Sequence, residues 1–321
     1  MPWRSNRRLN HLRLEARGVW PYGLPSDISQ RIFGIGEVLW DLLPRGRQLG
    51  GAPANFAFHA RSLGLEATVI SCVGEDELGR EILSRLQELQ VPVDSVTRNM
   101  ELPTGTVSVM LDGRGVPHYT IHEPVAWDRI QPTPNTVENV RRAEAVCFGS
   151  LAQRGRTSRE AIQELVSVAP ETALRVFDIN LRQEFYSREV IEQSLRLANV
   201  LKLNDSELPV LAAMFELAGS VREQLSQLVK RFELQTVALT CGEKGSLLHH
   251  HGCWSECSVR PVKVVDTVGA GDAFTAALVN GLLRGIDLDR INSAANEVAR
   301  HICASAGATP RLPDELHQLF N

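Results

Sequence analysis

No run of about eighteen consecutive apolar residues occurs in this chain, which excludes a helical membrane span. Positive charge is not in excess: the formal net charge is -4, which argues against a broad nucleic-acid-binding face. No internal repeat or low-complexity tract stands out. Cysteine is sparse, with six residues at positions 72, 147, 241, 253, 257 and 303. Cys253 and Cys257 lie close together, but no second pair with zinc-ligand spacing accompanies them, so a zinc module is not expected. The cysteines fall mostly inside apolar runs and read as buried, reduced thiols, which points to the cytoplasm. Arg4, Arg7, Arg8, Arg13 and Arg17 face a single acid, Glu15, and no apolar signal-peptide core follows them. Residues 1–30 are therefore expected to be a disordered or wrongly assigned extension outside the fold.

What remains is ordinary for a soluble enzyme: 321 residues, 43% hydrophobic and 22% charged. That length accommodates one α/β domain with a smaller attachment, or two domains. From Arg31 onward, short apolar runs alternate with amphipathic stretches. Strands are predicted at 32–35, 67–73, 145–148, 175–179, 200–203 and 236–240. Helices are predicted between them at 54–63, 78–89, 158–168, 187–197, 220–232 and 273–283. Apolar strands separated by helices imply a parallel sheet covered on both faces, with ligands beyond the C-terminal strand ends. Residues 104–111 alternate, turn at Asp112–Gly115 and resume in 116–122, which reads as a β-hairpin. With residues 37–49 it is expected to form a small projecting sheet over the site, a lid that excludes water.

The most informative segment is Asp266-Thr-Val-Gly-Ala-Gly-Asp272. Residues with little or no side chain leave backbone N–H groups bare at a helix N-terminus, where the dipole favours an anion such as phosphate. An aspartate in the first helical turn then stands beside that anion, placed to accept a proton from an attacking hydroxyl. The pattern suggests phosphoryl transfer to an alcohol.

Weaker clusters each admit a plainer structural reading. Gly50-Gly51-Ala52-Pro53-Ala54-Asn55 is a tight turn into a helix, or a close approach to a small ligand with Asn55 facing sugar hydroxyls. Asp178-Ile-Asn-Leu-Arg182 closes a strand; it reads as an Asp–Arg pair capping a loop, or as Asn180 and Arg182 facing a ligand. Asn204-Asp-Ser-Glu207 caps a helix or organises hydrated magnesium. Thr240-Cys-Gly242-Glu-Lys-Gly245 is a hairpin or a nucleotide contact. His249–His251 alternate in direction along a strand and read as a solvated turn rather than a metal site.

Taken in order, Gly-Glu-x-x-x-Asp, Gly-Gly-Ala-x-x-Asn, Asp-x-Asn-x-Arg, Asn-x-x-Glu, Thr-x-Gly-x-x-Gly and Asp-Thr-x-Gly-Ala-Gly-Asp resemble the ribokinase-like (phosphofructokinase-B type) carbohydrate kinases. The likeness runs from about Arg31 to Pro313. The strings Gly36–Asp41, Gln48–Phe56 and Phe148–Arg154 look most like bacterial fructokinases. The resemblance implies an α/β fold, a Rossmann-like, mostly parallel sheet flanked by helices with a small β-sheet lid, as one kinase domain over 31–321. It also implies ATP-dependent phosphorylation of a primary hydroxyl, with D-fructose the first expectation. By match to the family's motifs, Asp272 is the catalytic base and Gly269, Ala270 and Gly271 form the anion hole. Asp41, Gly50, Gly51, Asn55 and Arg182 match substrate positions, and Asn204, Thr240, Gly242, Gly245 and Asn296 match nucleotide positions. Glu207 matches a magnesium-organising position acting partly through water. Asp266 and Val268, with residues near Ala304 to Gly307, match a monovalent-cation site, so K+ joins ATP and Mg2+ as an expected cofactor.

Rival readings are a kinase for 2-keto-3-deoxygluconate, ribose or a nucleoside, and a non-catalytic sugar-binding protein. An acidic sugar would want a cation, which Arg182 or Arg154 could supply. An apolar outer lid face at Val107, Val109 and Leu111 would suit homodimerisation through the lid.

Overall fold

A nine-stranded sheet forms the backbone of this computed structural model, which describes residues 31–43, 46–111 and 117–320. The basic N-terminal stretch and the turn expected at Asp112–Gly115 lie outside the described residues. The strands in chain order are β1 (Arg31–Ile35), β2 (Leu39–Leu43), β3 (Gly46–Gly50), β4 (Glu66–Gly74), β5 (Val96–Asn99), β6 (Gly105–Leu111) and β7 (Pro117–Ile121). They continue with β8 (Ala145–Phe148), β9 (Leu174–Asp178), β10 (Val200–Asn204), β11 (Thr236–Thr240), β12 (Ser246–His250) and β13 (Cys253–Cys257). The large sheet runs β13-β12-β11-β10-β9-β8-β1-β4-β5. It is parallel from β11 to β5, with β12 and β13 added antiparallel at one edge.

Helices cover both faces: α1 (Ala52–Ser62), α2 (Glu77–Glu88), α3 (Pro134–Val140), α4 (Arg156–Val168), α5 (Arg188–Leu197), α6 (Leu208–Phe215), α7 (Val221–Phe232), α8 (Ala270–Leu283) and α9 (Leu288–Cys303). Successive strand side chains point to opposite faces, so β1 divides between two cores. Ile32 joins α1, α8 and α9, whereas Phe33 and Ile35 join the cluster that includes α4, α5 and α7. Local chemistry agrees with this packing. Helix α7 opens on a capping box between Ser220 and Glu223 and buries Leu225, Leu228 and Phe232 along one stripe. Helix α8 differs, being buried continuously from Ala273 to Leu282, because it lies between α1 and α9.

A separate four-stranded sheet, β3-β2-β6-β7, stands beside the C-terminal edge of the large one. Its hairpin β6–β7 pairs Val107 with Ile121, and β2 runs parallel to β6. Val107 departs from the expectation of an outward apolar face. It is 6% exposed and packs with Leu39, Ile121 and Trp127 in one of the two cores. The side chains of Val109 and Leu111 lie outside the described residues.

Two further expectations are corrected. Only Cys72 and Cys147 are buried; Cys253 is exposed and the other three are intermediate, all six being free thiols. The histidine triplet is not a solvated turn throughout. His249 is buried with its ring 4.8 Å from that of Trp254, and His250 hydrogen-bonds Thr236 Oγ1 at 2.8 Å; His251 is exposed.

Candidate active site

The parallel strands β1, β9, β10 and β11 release their loops on one side of the sheet, and those loops enclose a cavity of about 1450 Å³ with the small sheet. Helix α8 points its N-terminus into this space. Gly269 caps the helix in a left-handed conformation (φ 80°), so Ala270 and Gly271 lie inside the first turn rather than ahead of it. Asp272 is the third helical residue and lines the cavity floor. Its Oδ2 accepts a 2.8 Å hydrogen bond from Asn55 Nδ2. Asn55 is buried on α1 and lines the same cavity; its Nδ2 fixes the orientation of the carboxylate, while its Oδ1 has no hydrogen-bond partner among the described residues.

Burial, and then the nearby charge of Asp178, push the Asp272 carboxyl up to about 6 against the pull of Asn55, Lys202 and Arg182. A carboxylate with that affinity for protons is a better base than an exposed aspartate and is still ionised at neutral pH. If Asp272 accepts the proton, kcat/KM must fall about tenfold per pH unit below its pKa and level off above it. A pH–rate profile of the free enzyme measures this; an acid limb centred near the ordinary aspartate value would remove Asp272 from that role.

The end of the cavity under the small sheet is acidic. Asp41 on β2 is raised to about 6, mainly by burial, and its carboxylate lies against Gly50, where a Cβ would collide with it. Gly51 is at φ 110° and turns the chain from β3 into α1. Glu37 is 3% exposed and is raised by burial to about 7; its Oε1 accepts a 3.3 Å bond from the Ala52 amide. Arg182 is exposed on the same wall, and its guanidinium pulls Glu37, Asp41 and Asp272 downward.

Two sequence readings fail at this point. Asp178 does not pair with Arg182. It accepts from Lys202 Nζ at 3.1 Å and Thr275 Oγ1 at 2.8 Å, beneath the first turn of α8. Arg154 is not a free cation: its side chain is 6% exposed, paired with Asp128 at 2.8 Å, and stacked on Trp127.

The opposite end gathers the positions expected to hold a nucleotide. Asn204, Thr240, Gly242, Gly245 and Asn296 all line it, together with exposed Val264 and Val268. Gly242 and Gly245 have φ of 55° and 96°, and a Cβ on Gly245 would strike the Cys257 carbonyl oxygen. Asn296 spends its Nδ2 on Ser246 Oγ and the Asn292 carbonyl, at 2.6 and 2.8 Å.

Glu207 is the expected site residue that does not reach the cavity. It is 4% exposed, and its two oxygens accept from the amides of Leu181 (2.9 Å) and Asn204 (2.8 Å). Each oxygen thus holds one backbone amide, tying the loop after β9 to the loop after β10. The carboxylate of that loop on the cavity wall is Asp205, which is exposed. Among the described residues no three His, Cys, Asp or Glu side chains cluster to hold a metal. A hydrated magnesium ion, which uses one or two carboxylates and keeps its waters, still fits such a wall. Asp266 Oδ1 accepts from Val268 N (3.0 Å) and Oδ2 from Gly307 N (3.2 Å), so the segments expected to bind a monovalent cation do lie side by side.

Lys202 was not singled out by sequence reasoning. A lysine within the apolar strand β10 reads as an edge or a snorkelling side chain, and its two carboxylate neighbours are distant in sequence. Its Nζ lies 3.0 Å from where a Cβ on Gly271 would be, under the cradle formed by α8.

Comparison with known proteins places this geometry. The pfkB family carbohydrate kinase model matches residues 45–315. The chain belongs to the pfkB family of carbohydrate kinases. It is therefore a phosphotransferase acting on a sugar hydroxyl. An uncharacterized sugar kinase of Pyrococcus horikoshii is 32% identical over 89% of this chain and 94% of its own. The structure of that kinase in complex with ATP superposes with a TM-score of 0.77 at 29% identity, covering 90% of this chain and 100% of that one. The fructokinase of Klebsiella pneumoniae is 31% identical over 88% of this chain and 94% of its own. A fructokinase double mutant of Vibrio cholerae, holding fructose, ADP and potassium, superposes with a TM-score of 0.75 at 27% identity, over 92% of this chain and 100% of that one.

Proposed function

We propose that this pfkB kinase transfers the γ-phosphoryl group of ATP to the terminal hydroxymethyl of D-fructose, giving fructose 6-phosphate. The observation that carries the reading is Asp272: a half-buried carboxylate on the cavity floor, oriented by Asn55 and adjoining the amides of Gly269, Ala270 and Gly271. The acceptor lies under the small sheet, which acts as a lid, with Asp41 and Arg182 on its walls. Asp272 takes the hydroxyl proton, and the freed oxygen attacks the γ-phosphorus as the bond to the β-phosphate oxygen breaks. The cradle amides, Lys202 and Arg182 meet the charge on the moving phosphoryl group, so most of the acceleration comes from positioning and electrostatics. Asn204 and Asp205 would hold hydrated magnesium, with Glu207 bracing their loop from below; bound there, the ion neutralises phosphate charge. Asp266, Val268 and residues 304–307 would hold potassium. The free thiols are consistent with a cytoplasmic enzyme.

Fructose is favoured over an acidic sugar by the pocket's own charge. Glu37 and Asp41 line the acceptor end, and Arg154 is spent on Asp128. A carboxylate on the acceptor would meet these two acids, with the exposed Arg182 as the cation on that wall. The relatives named fructokinase point the same way. A coupled ADP-release screen over fructose, 2-keto-3-deoxygluconate, ribose and adenosine tests this. We expect kcat/KM for fructose to exceed that for 2-keto-3-deoxygluconate by about tenfold or more, the worth of one unfavourable charge contact. Preference for the keto acid would reassign the acceptor and leave the kinase intact.

A further inference from the structure

His59 is wholly buried on α1, one helical turn after Asn55, and no step of the proposed phosphoryl transfer uses it. Its Nε2 lies 2.9 Å from the Ala308 carbonyl oxygen. A carbonyl only accepts, so Nε2 carries the ring proton and donates. Burial pushes the imidazole down to about 4, which keeps it neutral at working pH, and Nδ1 is buried without a partner. The other groups bearing on the ring are His301, which disfavours its charge, and the ring of Phe58 at 5.1 Å. The same Ala308 oxygen is in close contact with Gly269: a Cβ there would lie 2.5 Å from that oxygen and 3.0 Å from Ala308 Cα. Ala308 is thus wedged between a hydrogen bond from α1 and the capping residue of α8.

These contacts tie both ends of the first turn of α8 to one helix. Asn55 on α1 holds Asp272 directly, and His59 on α1 holds Gly269 through Ala308. We propose that His59 is a positioning residue that sets the register of the phosphoryl cradle against the acceptor-binding helix. The inference rests on the reading of Gly269 to Gly271 as that cradle. Without the Nε2 donor the Ala308 carbonyl is left buried and unpaired, so residues 307–309 must shift to find another partner. Gly269 follows, and its amide moves off the line it holds toward the transferred group. A displacement well short of an ångström costs rate more than binding, because alignment matters most in the transition state.

The test compares His59→Gln, whose amide nitrogen reaches about where Nε2 stands, with His59→Met, which fills similar volume and donates nothing. We expect His59→Gln to keep kcat within about threefold, and His59→Met to lose about 10- to 100-fold in kcat, with KM for sugar and ATP little changed. Rates are taken well below each variant's melting temperature. A purely structural histidine would lower the melting temperatures and leave the folded variants with equal kcat, which would overturn the proposal. A loss confined to KM would overturn it too. Should His59→Met not fold, His59→Asn, whose amide falls short of Ala308, must show the kcat loss. Wild-type turnover measured in parallel separates the two readings: no phosphorylation of any sugar would sink the kinase assignment, whereas an active wild type with equally active variants would sink only the role of His59.

Discussion

Asp272→Asn is expected to bind its sugar almost as the unaltered enzyme does and to lose about 10³-fold in kcat, or about 4 kcal/mol of transition-state stabilisation. The substitution is isosteric, and the new amide oxygen still accepts the 2.8 Å bond from Asn55 Nδ2, so the side chain stays where it is. What disappears is a half-buried carboxylate whose pKa of about 6 makes it both ionised and basic at neutral pH. The cradle amides, Lys202 and Arg182 remain, which leaves residual turnover above the uncatalysed rate. Calorimetric titration of the sugar together with ADP-release rates separates binding from chemistry. Turnover comparable to the unaltered enzyme would show that a group other than Asp272 takes the proton from the acceptor hydroxyl.

Lys202→Met should be the most destabilising single change in the site. Lys202 and Asp178 are each about 8% exposed in their side chains and 3.1 Å apart. Burial pushes the lysine pKa down, but the charges of Asp178, Glu207 and Asp272 outweigh it and raise the ammonium above its ordinary value. Removing the cation leaves Asp178 buried with only the Thr275 hydroxyl, 2.8 Å away, as a side-chain partner. Breaking a buried pair from one side costs about 3–5 kcal/mol, whereas replacing both charges is often close to neutral. Denaturant titration should therefore show a large fall in unfolding free energy for Lys202→Met and a partial recovery in Lys202→Met/Asp178→Asn. The double variant should stay slow, since the charge beneath Gly271 is still missing. A single variant as stable as the unaltered protein would show that water reaches Asp178 and that the pair is effectively solvated.

The two changes act through different terms. Asp272 is oriented by a donor that survives substitution, so its loss is read in rate. Among the described residues Lys202 is the ion-pair partner of the buried Asp178 carboxylate, so its loss is read in stability first.

The alternation of strand and helix, the parallel sheet and the place of Asp272 in the first turn of a helix behind a glycine-rich turn can all be read from the chain alone. These rest on local rules: apolar periodicity, capping chemistry and the backbone freedom of Gly269, each legible within a few residues. The chain also puts Asn204 and the segment from Thr240 to Gly245 at the ends of strands, and in a parallel sheet those ends share one edge. Which polar groups meet depends instead on how the elements pack. Asn55 serves Asp272, Asp178 takes Lys202 instead of Arg182, Arg154 is spent on Asp128, and Glu207 gives both oxygens to backbone amides. Val107 faces inward for the same kind of reason, since the face of a hairpin that is buried depends on what packs against it. His59 joins a loop 249 residues away, a contact that no local pattern encodes. Pairings between groups distant in the chain are set by how helices and strands pack, and a buried charge or amide takes whichever partner that packing brings within reach.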